Sequence, residues 1–194
     1  MNKKELLYYL SSIGFSKKII NAFEKVKREN FVPENLKDLS YEDTALPLQE
    51  GATISQPSTI AFMLDLLNLE GKEKVLEIGS GSGYVLALLS HLTKGKIYGV
   101  EIITSLAERS RKILEKNKQI EIYNKDGSKS FSEKAPFDRV LISASADKLP
   151  EHLYDQLSQN GIIVASVKNS IFCIKKKKTI TKKEYPGFVF VPLR

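Results

Sequence analysis

The apolar positions of this chain change their period partway along. The first 68 residues carry apolar stripes at helical spacing, interrupted by one aperiodic stretch. From Lys74 onward, short apolar runs alternate with helical segments. Residues 3–10 and 17–28 read as helices, with Gly14 ending the first and Ser16 capping the second. Ile19, Ile20, Phe23 and Val26 form the apolar face of the second. Residues 29–53 contain Pro33 and Pro47 and no clear period, so they read as a loop, long for a compact domain and a candidate for function. Pro57 suits the first turn of a helix over 57–68 that buries Ile60, Met63, Leu64 and Leu67. Strands are predicted at 74–78, 96–101, 120–123, 138–143 and 162–167, and helices at 83–93, 104–117 and 150–158. Such alternation calls for a mostly parallel sheet covered on both faces. Two more strands, 170–175 and 187–193, are expected to flank a lysine-rich turn as an antiparallel edge hairpin. At 194 residues, a single α/β domain is expected, doubly wound and Rossmann-like. Residues 1–56 form its helical cap and substrate loop, and 57–194 its core with the C-terminal strands.

The chemistry concentrates in Val75-Leu76-Glu77-Ile78-Gly79-Ser80-Gly81-Ser82-Gly83-Tyr84, a buried strand running into a glycine-rich turn that opens a helix. A turn this tight lets a ligand approach the backbone, and the helix start offers unpaired N–H groups. A dinucleotide site uses G-x-G-x-x-G; here the spacing is G-x-G-x-G, and Tyr84 stands where the third glycine belongs. No Lys-Ser or Lys-Thr follows, which disfavours a triphosphate loop. Glu77 inside the motif repels phosphate and suits a cationic ligand such as S-adenosylmethionine. Glu101 ends the next predicted strand about 20 residues on, where a carboxylate hydrogen-bonds ribose hydroxyls in doubly wound folds. Asp126-Gly127 follows the third strand, at the same edge of the sheet.

Composition narrows the class. Hydrophobic residues make up 42% and charged residues 27% of the chain, as in ordinary globular proteins. No run of 18 apolar residues predicts a membrane span, and the N-terminus carries no apolar core with a cleavage site, so no leader is expected. The single cysteine, Cys173, cannot form an intrachain disulfide, and a reducing cytoplasm is the expectation. With two histidines, His91 and His152, and no cysteine cluster, no metal site is expected. The net charge is +7, but Lys175, Lys176, Lys177, Lys178, Lys182 and Lys183 lie in one acid-free stretch; removing those six from +7 leaves +1. This patch reads as a solvated turn or as a contact for nucleic acid or an acidic partner. The lysines lack interleaved aromatics, which favours the turn.

Several motifs together resemble the protein-L-isoaspartate O-methyltransferases, which use S-adenosylmethionine. They are Phe31-Val32-Pro33-Glu34, Tyr41-Glu42-Asp43 with Ala45-Leu46-Pro47, Gly51 followed by Thr53-Ile54-Ser55-Gln56-Pro57, and the Leu76–Tyr84 turn. Tyr98-Gly99-Val100-Glu101-Ile102-Ile103, Asp126-Gly127, Ala135-Pro136-Phe137-Asp138 and Phe190-Val191-Pro192-Leu193 complete the set. The glycine turn alone indicates only a class I methyltransferase; the Thr-Ile-Ser-Gln-Pro segment and the tail are more specific. The resemblance implies that Ser55 is the active-site serine, with Thr53, Ile54 and Ser55 beside the reactive end of the cofactor. It puts Glu77, Gly79, Ser80, Gly81, Ser82 and Gly83 around the methionine portion, Glu101 at the ribose, Ile102 among the cofactor-binding residues, Asp126 with Gly127 at the adenine, and Val191 and Pro192 at the substrate. Read from residues alone, Ser55 also suits a helix N-cap, and Asp126-Gly127 an ordinary turn. The implied activity is methylation of the α-carboxylate of isoaspartyl residues in damaged proteins, by a monomer. An α-carboxylate is ionised at neutral pH, so no general base is needed.

Three positions depart from the family pattern. Ser58 stands where an aromatic or histidine is usual, and Ser166-Val167-Lys168 stands where Pro-Val-Gly is usual. Lys168 in place of glycine predicts an altered path past the substrate pocket, because a lysine adopts φ > 0 at a cost. The chain also stops at Arg194, so family contacts beyond that point are expected to be missing. Two rival readings follow: a class I methyltransferase acting on RNA through the lysine patch, and an S-adenosylmethionine-binding protein without catalysis. Against the first, Ser143-Ala144-Ser145-Ala146-Asp147 lacks the Asn/Asp-Pro-Pro-aromatic motif of many amino-group methylases.

Overall fold

The computed structural model describes residues 1–188. Helices α1 (Lys3–Ser12) and α2 (Lys17–Lys25) form the cap. Asn2 and Glu5 close a capping box on α1, Gly14 turns the chain at φ +100°, and the Ser16 hydroxyl accepts the Ile19 N–H. The helix expected to reach residue 28 stops at Lys25, and Arg28–Asn30 forms a short 3-10 turn. Residues 29–53 are ordered rather than open. A second 3-10 segment spans Glu34–Leu39, and β1 (Leu46–Pro47) pairs antiparallel with β2 (Thr53–Ile54). Helix α3 (Pro57–Leu66) follows, with proline in its first turn.

The core is a seven-stranded sheet. Its strands are β3 (Val75–Ile78), β4 (Ile97–Glu101), β5 (Ile120–Asn124), β6 (Phe137–Ala146), β7 (Leu157–Val167), β8 (Ser170–Lys176) and β9 (Ile180–Pro186). They lie in the order β5-β4-β3-β6-β7-β8-β9, the first five parallel and the last two antiparallel. Helices α4 (Tyr84–Leu89) and α5 (Thr104–Leu114) follow β3 and β4. All six residues of α4 are buried, so its sequence is apolar all round. Alternate strand residues feed two cores. Val75, Ile97, Leu141 and Val164 join the helices and cap on one face, and Leu76, Tyr98, Val140 and Ile163 build the other.

The second face departs from expectation. No helix spans 150–158: a 3-10 turn at Glu151–Leu153 leads directly into β7. The Lys176 ammonium donates to the carbonyls of Tyr154 and Leu157 at 2.7 and 2.8 Å, and the Gln156 carbonyl accepts the Phe137 N–H at 2.8 Å. Carbonyls that a helix would use internally are thus committed to neighbouring strands. Leu149, Leu153, Tyr154 and Phe131 close this face instead.

The final hairpin also lies earlier than predicted. Its second strand is β9, immediately after the turn, and most of the residues predicted as the 187–193 strand lie outside the described residues. Lys175 and Lys176 are strand residues of β8, and Lys182 and Lys183 of β9. Lys182 pairs with Glu151 at 2.9 Å, so the basic stretch is partly compensated. No helix among the described residues is long and apolar enough to cross a membrane.

Candidate active site

The glycine turn is built at the carboxyl end of β3, whose four residues are all buried. Gly79, Gly81 and Gly83 adopt φ of +76°, +50° and +83°. The first two N–H groups of the turn, of Gly79 and Ser80, donate to the Val100 carbonyl, tying it to β4. A Cβ on Gly83 would sit 2.9 Å from Ser110 Cβ and 3.0 Å from Leu114 Cδ1, so this glycine lets α4 close against α5. A Cβ on Gly81 would meet only Leu48 Cδ1, at 4.0 Å. Gly81 therefore borders open space, and Gly83 is a packing glycine. Tyr84 packs its ring against Phe23 and Phe31 in the cap.

Glu101 locks this turn to the end of β4. One carboxylate oxygen accepts the Gly81 N–H at 2.7 Å and the other the Ile103 N–H at 2.9 Å. The Asn124 amide donates to the Glu101 and Ile102 carbonyls, fixing the following bend from β5. Glu77 lies fully inside the sheet. Its Oε1 accepts the Ser143 hydroxyl at 2.7 Å, and its Oε2 has no hydrogen-bond partner among the described residues. Burial pushes its pKa up to about 8; the Ser143 hydrogen bond pulls the other way, and the nearby Glu101 adds to the rise.

These elements enclose a cavity of about 570 Å³ over the carboxyl ends of β3, β4 and β6. Chain order reverses there, β4 and β5 lying on one side of β3 and β6 and β7 on the other, the place where open α/β sheets bind ligands. Of the residues the sequence singles out, Thr53, Ser55, Gly79, Gly81, Glu101, Ile102 and Gly127 line it. A Cβ on Gly127 would approach Ile78 Cγ2 to 2.5 Å, so no larger residue fits that wall.

Six expected residues stand behind the lining. Ile54 points into the hydrophobic core, and Glu77, Ser80 and Ser82 are buried, because the tight turn folds them under Gly79 and Gly81. Gly83 packs on α5. The Asp126 carboxylate is drawn into its own turn, accepting the Ser128 N–H at 2.9 Å and the Ser128 hydroxyl at 2.6 Å; these bonds lower its pKa. Val191 and Pro192 lie outside the described residues.

Ser55 sits between β2 and α3. It is not the N-cap; Gln56 is, and its side chain makes no capping bond. The cap comes from Asp43, whose Oδ1 accepts the Ser58 N–H at 2.8 Å and whose Oδ2 accepts the Gln56 amide at 2.9 Å. Arg28 donates to the Ser55 carbonyl at 3.0 Å. Ser58, Thr59 and Phe62 of α3 add to the cavity wall, and Phe188 stacks on Phe62 with centroids 5.5 Å apart. Sequence reading missed Arg28, Ser143, Phe62 and the capping role of Asp43. No local signal marks Arg28, which stands in the charged run Lys25-Val26-Lys27-Arg28-Glu29 like an ordinary surface arginine.

The Lys168 expectation is corrected. Lys168 takes φ +51°, the left-handed conformation a glycine would use, so the chain keeps that path at a cost in strain. The Ser166 hydroxyl donates to the Ile142 and Ala144 carbonyls at 3.2 and 2.8 Å, bridging the irregular end of β6.

The pattern of the family "Protein-L-isoaspartate(D-aspartate) O-methyltransferase (PCMT)" matches residues 1–194. A protein-L-isoaspartate O-methyltransferase from Methanothrix thermoacetophila is 38% identical over 200 residues, covering 100% of this chain and 95% of that protein. One of the same name from Dictyoglomus thermophilum is 40% identical, covering 99% and 90%. A crystal structure described as "a putative protein-L-isoaspartate O-methyltransferase beta-aspartate methyltransferase (PCMT) from Plasmodium falciparum in complex with S-adenosyl-L-homocysteine" superposes with a TM-score of 0.88 at 26% identity, covering 100% of this chain and 99% of that one. The motifs at the cavity and these full-length similarities agree: the chain belongs to the protein-L-isoaspartate(D-aspartate) O-methyltransferase family.

Proposed function

We infer that the protein transfers a methyl group from S-adenosylmethionine to the α-carboxylate of isoaspartyl residues in proteins and peptides, as a repair enzyme. The observation that carries this reading is the meeting of the Thr53–Pro57 segment with the glycine turn across one cavity. The cavity suits the methyl donor. Its volume is right for a ligand of that size, Gly81 leaves room beside the backbone, and Glu101 presents a carboxylate at the end of β4. When bound, S-adenosylmethionine supplies an electrophilic methyl group on a sulfonium.

In this reading the chain's own residues orient and enclose. Glu101 would hold the ribose hydroxyls and Gly127 would border the adenine, with Ile102 lining the cavity between them. The Ser55 hydroxyl donates to the substrate carboxylate and aims its oxygen at the methyl carbon. Phe62 and Phe188 shield that end from water. The carboxylate is already the nucleophile, so alignment is the main task, a contribution on the order of 7–11 kcal/mol. The following backbone nitrogen then attacks the methyl ester and expels methanol, closing a succinimide whose hydrolysis can return normal aspartate.

We further place the protein in the cytoplasm as a monomer of one domain, with residues 1–56 as cap and substrate loop and 57–194 as core. The buried Cys173 accords with a reducing compartment. The test is repair itself: an isoaspartyl peptide incubated with protein and S-adenosylmethionine should convert progressively to its aspartyl isomer. Loss of the methyl donor without any change in the peptide would contradict the reading.

A further inference from the structure

Arg28 has none of its surface exposed to solvent, although it belongs to a three-residue turn and pairs with no carboxylate in a salt bridge among the described residues. Burying a guanidinium is costly unless its N–H groups are satisfied. Its partners are all backbone. Nη1 donates to the Ser40 carbonyl at 2.6 Å and, more weakly, to Glu42 at 3.5 Å. Nη2 donates to the Thr44 carbonyl at 3.2 Å and to the Ser55 carbonyl at 3.0 Å. The Tyr84 ring lies 5.8 Å from its Cζ. One planar fork thus joins the 40–44 segment to Ser55, two residues before α3 begins.

Asp43 lies between two of the residues Arg28 holds, Glu42 and Thr44. Its carboxylate reaches the other way, to the Gln56 amide and the Ser58 N–H. Ser55 is therefore fixed on its own carbonyl by Arg28 and one to three residues later by Asp43. Because the Ser55 carbonyl and the following N–H share one peptide plane, these contacts fix the backbone that carries the Ser55 side chain. Packing alone would be served as well by an apolar side chain of similar volume.

We propose that Arg28 and Asp43 act as positioning residues for methyl transfer, a clamp that holds Ser55 in one orientation toward the substrate carboxylate. The proposal rests on the reading of Ser55 as the group that meets that carboxylate. A lysine is a point charge without the planar fork and cannot hold both segments in the same geometry. Displacing a reacting group by an ångström can cost on the order of 100-fold in rate.

The experiment is a double-mutant cycle between Arg28→Lys and Ser55→Ala in the full-length protein. It reads kcat and KM for an isoaspartyl peptide, the Kd of S-adenosylmethionine by calorimetry, and folding by circular dichroism. Arg28→Lys should lower kcat by roughly 10–100-fold while the Kd changes by less than about threefold. In the Ser55→Ala background the same change should cost less than about twofold, because the clamp has nothing left to position. An equal loss in both backgrounds, or full kcat in folded Arg28→Lys while Ser55→Ala is slow, overturns the clamp alone. Full kcat in Ser55→Ala overturns the reading of Ser55 and the clamp with it. If Arg28→Lys does not fold, Asp43→Ala carries the same cycle: it removes the acceptors of both the Ser58 N–H and the Gln56 amide. It should show the same dependence on Ser55, and full kcat in that variant overturns the clamp.

Discussion

The Ser143 hydroxyl donates to Glu77 at 2.7 Å, linking the carboxyl end of β6 to a carboxyl group sealed inside β3. Ser143 lines the cavity, and Glu77 stands behind it. The pair places a titratable group one hydrogen bond from the ligand site.

A pH dependence follows from Glu77. Its pKa is about 8 in the folded protein, against an ordinary 4.5 in the unfolded chain. Between those values the folded state binds the extra proton, so stability falls as pH rises, by up to about 1.4 kcal/mol per pH unit for this one group. Below 4.5 both states are protonated and above 8 both are ionised, so the contribution levels off. Urea denaturation of the ligand-free protein at pH 5.5, 7 and 8.5 should show this decline, and Glu77→Gln should reduce it. Parallel declines in both proteins would show that Glu77 ionises freely in the fold.

The glycines of the turn should separate by function. Gly83→Ala places a Cβ against Ser110 and Leu114 at positive φ, and should cost about 2–4 kcal/mol of stability. Gly81→Ala adds its Cβ to open cavity space, and should cost only about 1–2 kcal/mol, the price of the left-handed backbone. Gly81→Ala should be the variant that weakens S-adenosylmethionine binding more. Denaturation curves and ligand titrations of the two variants check the ordering, and a reversed order refutes it.

Much of this was legible in the sequence where local signals and final structure agree. Val75–Ile78 is a strand buried on both faces and apolar but for Glu77, and the glycines after it show positive φ. The failures have a common cause: partners distant in sequence. Residues 150–158 lose their expected helix because Lys176 and the Phe137 N–H claim their carbonyls. Strand β9 escapes prediction because it is an edge strand of mostly exposed residues, without an apolar run to mark it. Asp43 caps a helix 15 residues away, a relationship that no capping motif within α3 reveals.

The two departures at the end of β7 make opposite predictions. Ser166→Ala removes the hydroxyl that Ile142 and Ala144 share as acceptors and should cost about 1–2 kcal/mol, loosening the strand end that carries Ser143 and Ala144. Lys168→Gly relieves a left-handed lysine; strain relief of about 1 kcal/mol, offset by the entropy of the unfolded glycine, leaves stability equal or slightly higher. Thermal melts of the two variants distinguish these signs. A destabilised Lys168→Gly would mean that the lysine side chain contributes more than its backbone strain costs.

The measurement that tests the central claim most directly is transfer of labelled methyl from S-adenosylmethionine to an isoaspartyl peptide beside its aspartyl twin, with wild-type protein and Ser55→Ala. The expected result is label on the isoaspartyl peptide alone, reduced about 10–100-fold by the substitution, as for loss of a hydrogen bond to a charged group, with S-adenosylmethionine still bound. Equal labelling of both peptides, or no label on either by a protein that binds the methyl donor, would contradict the account.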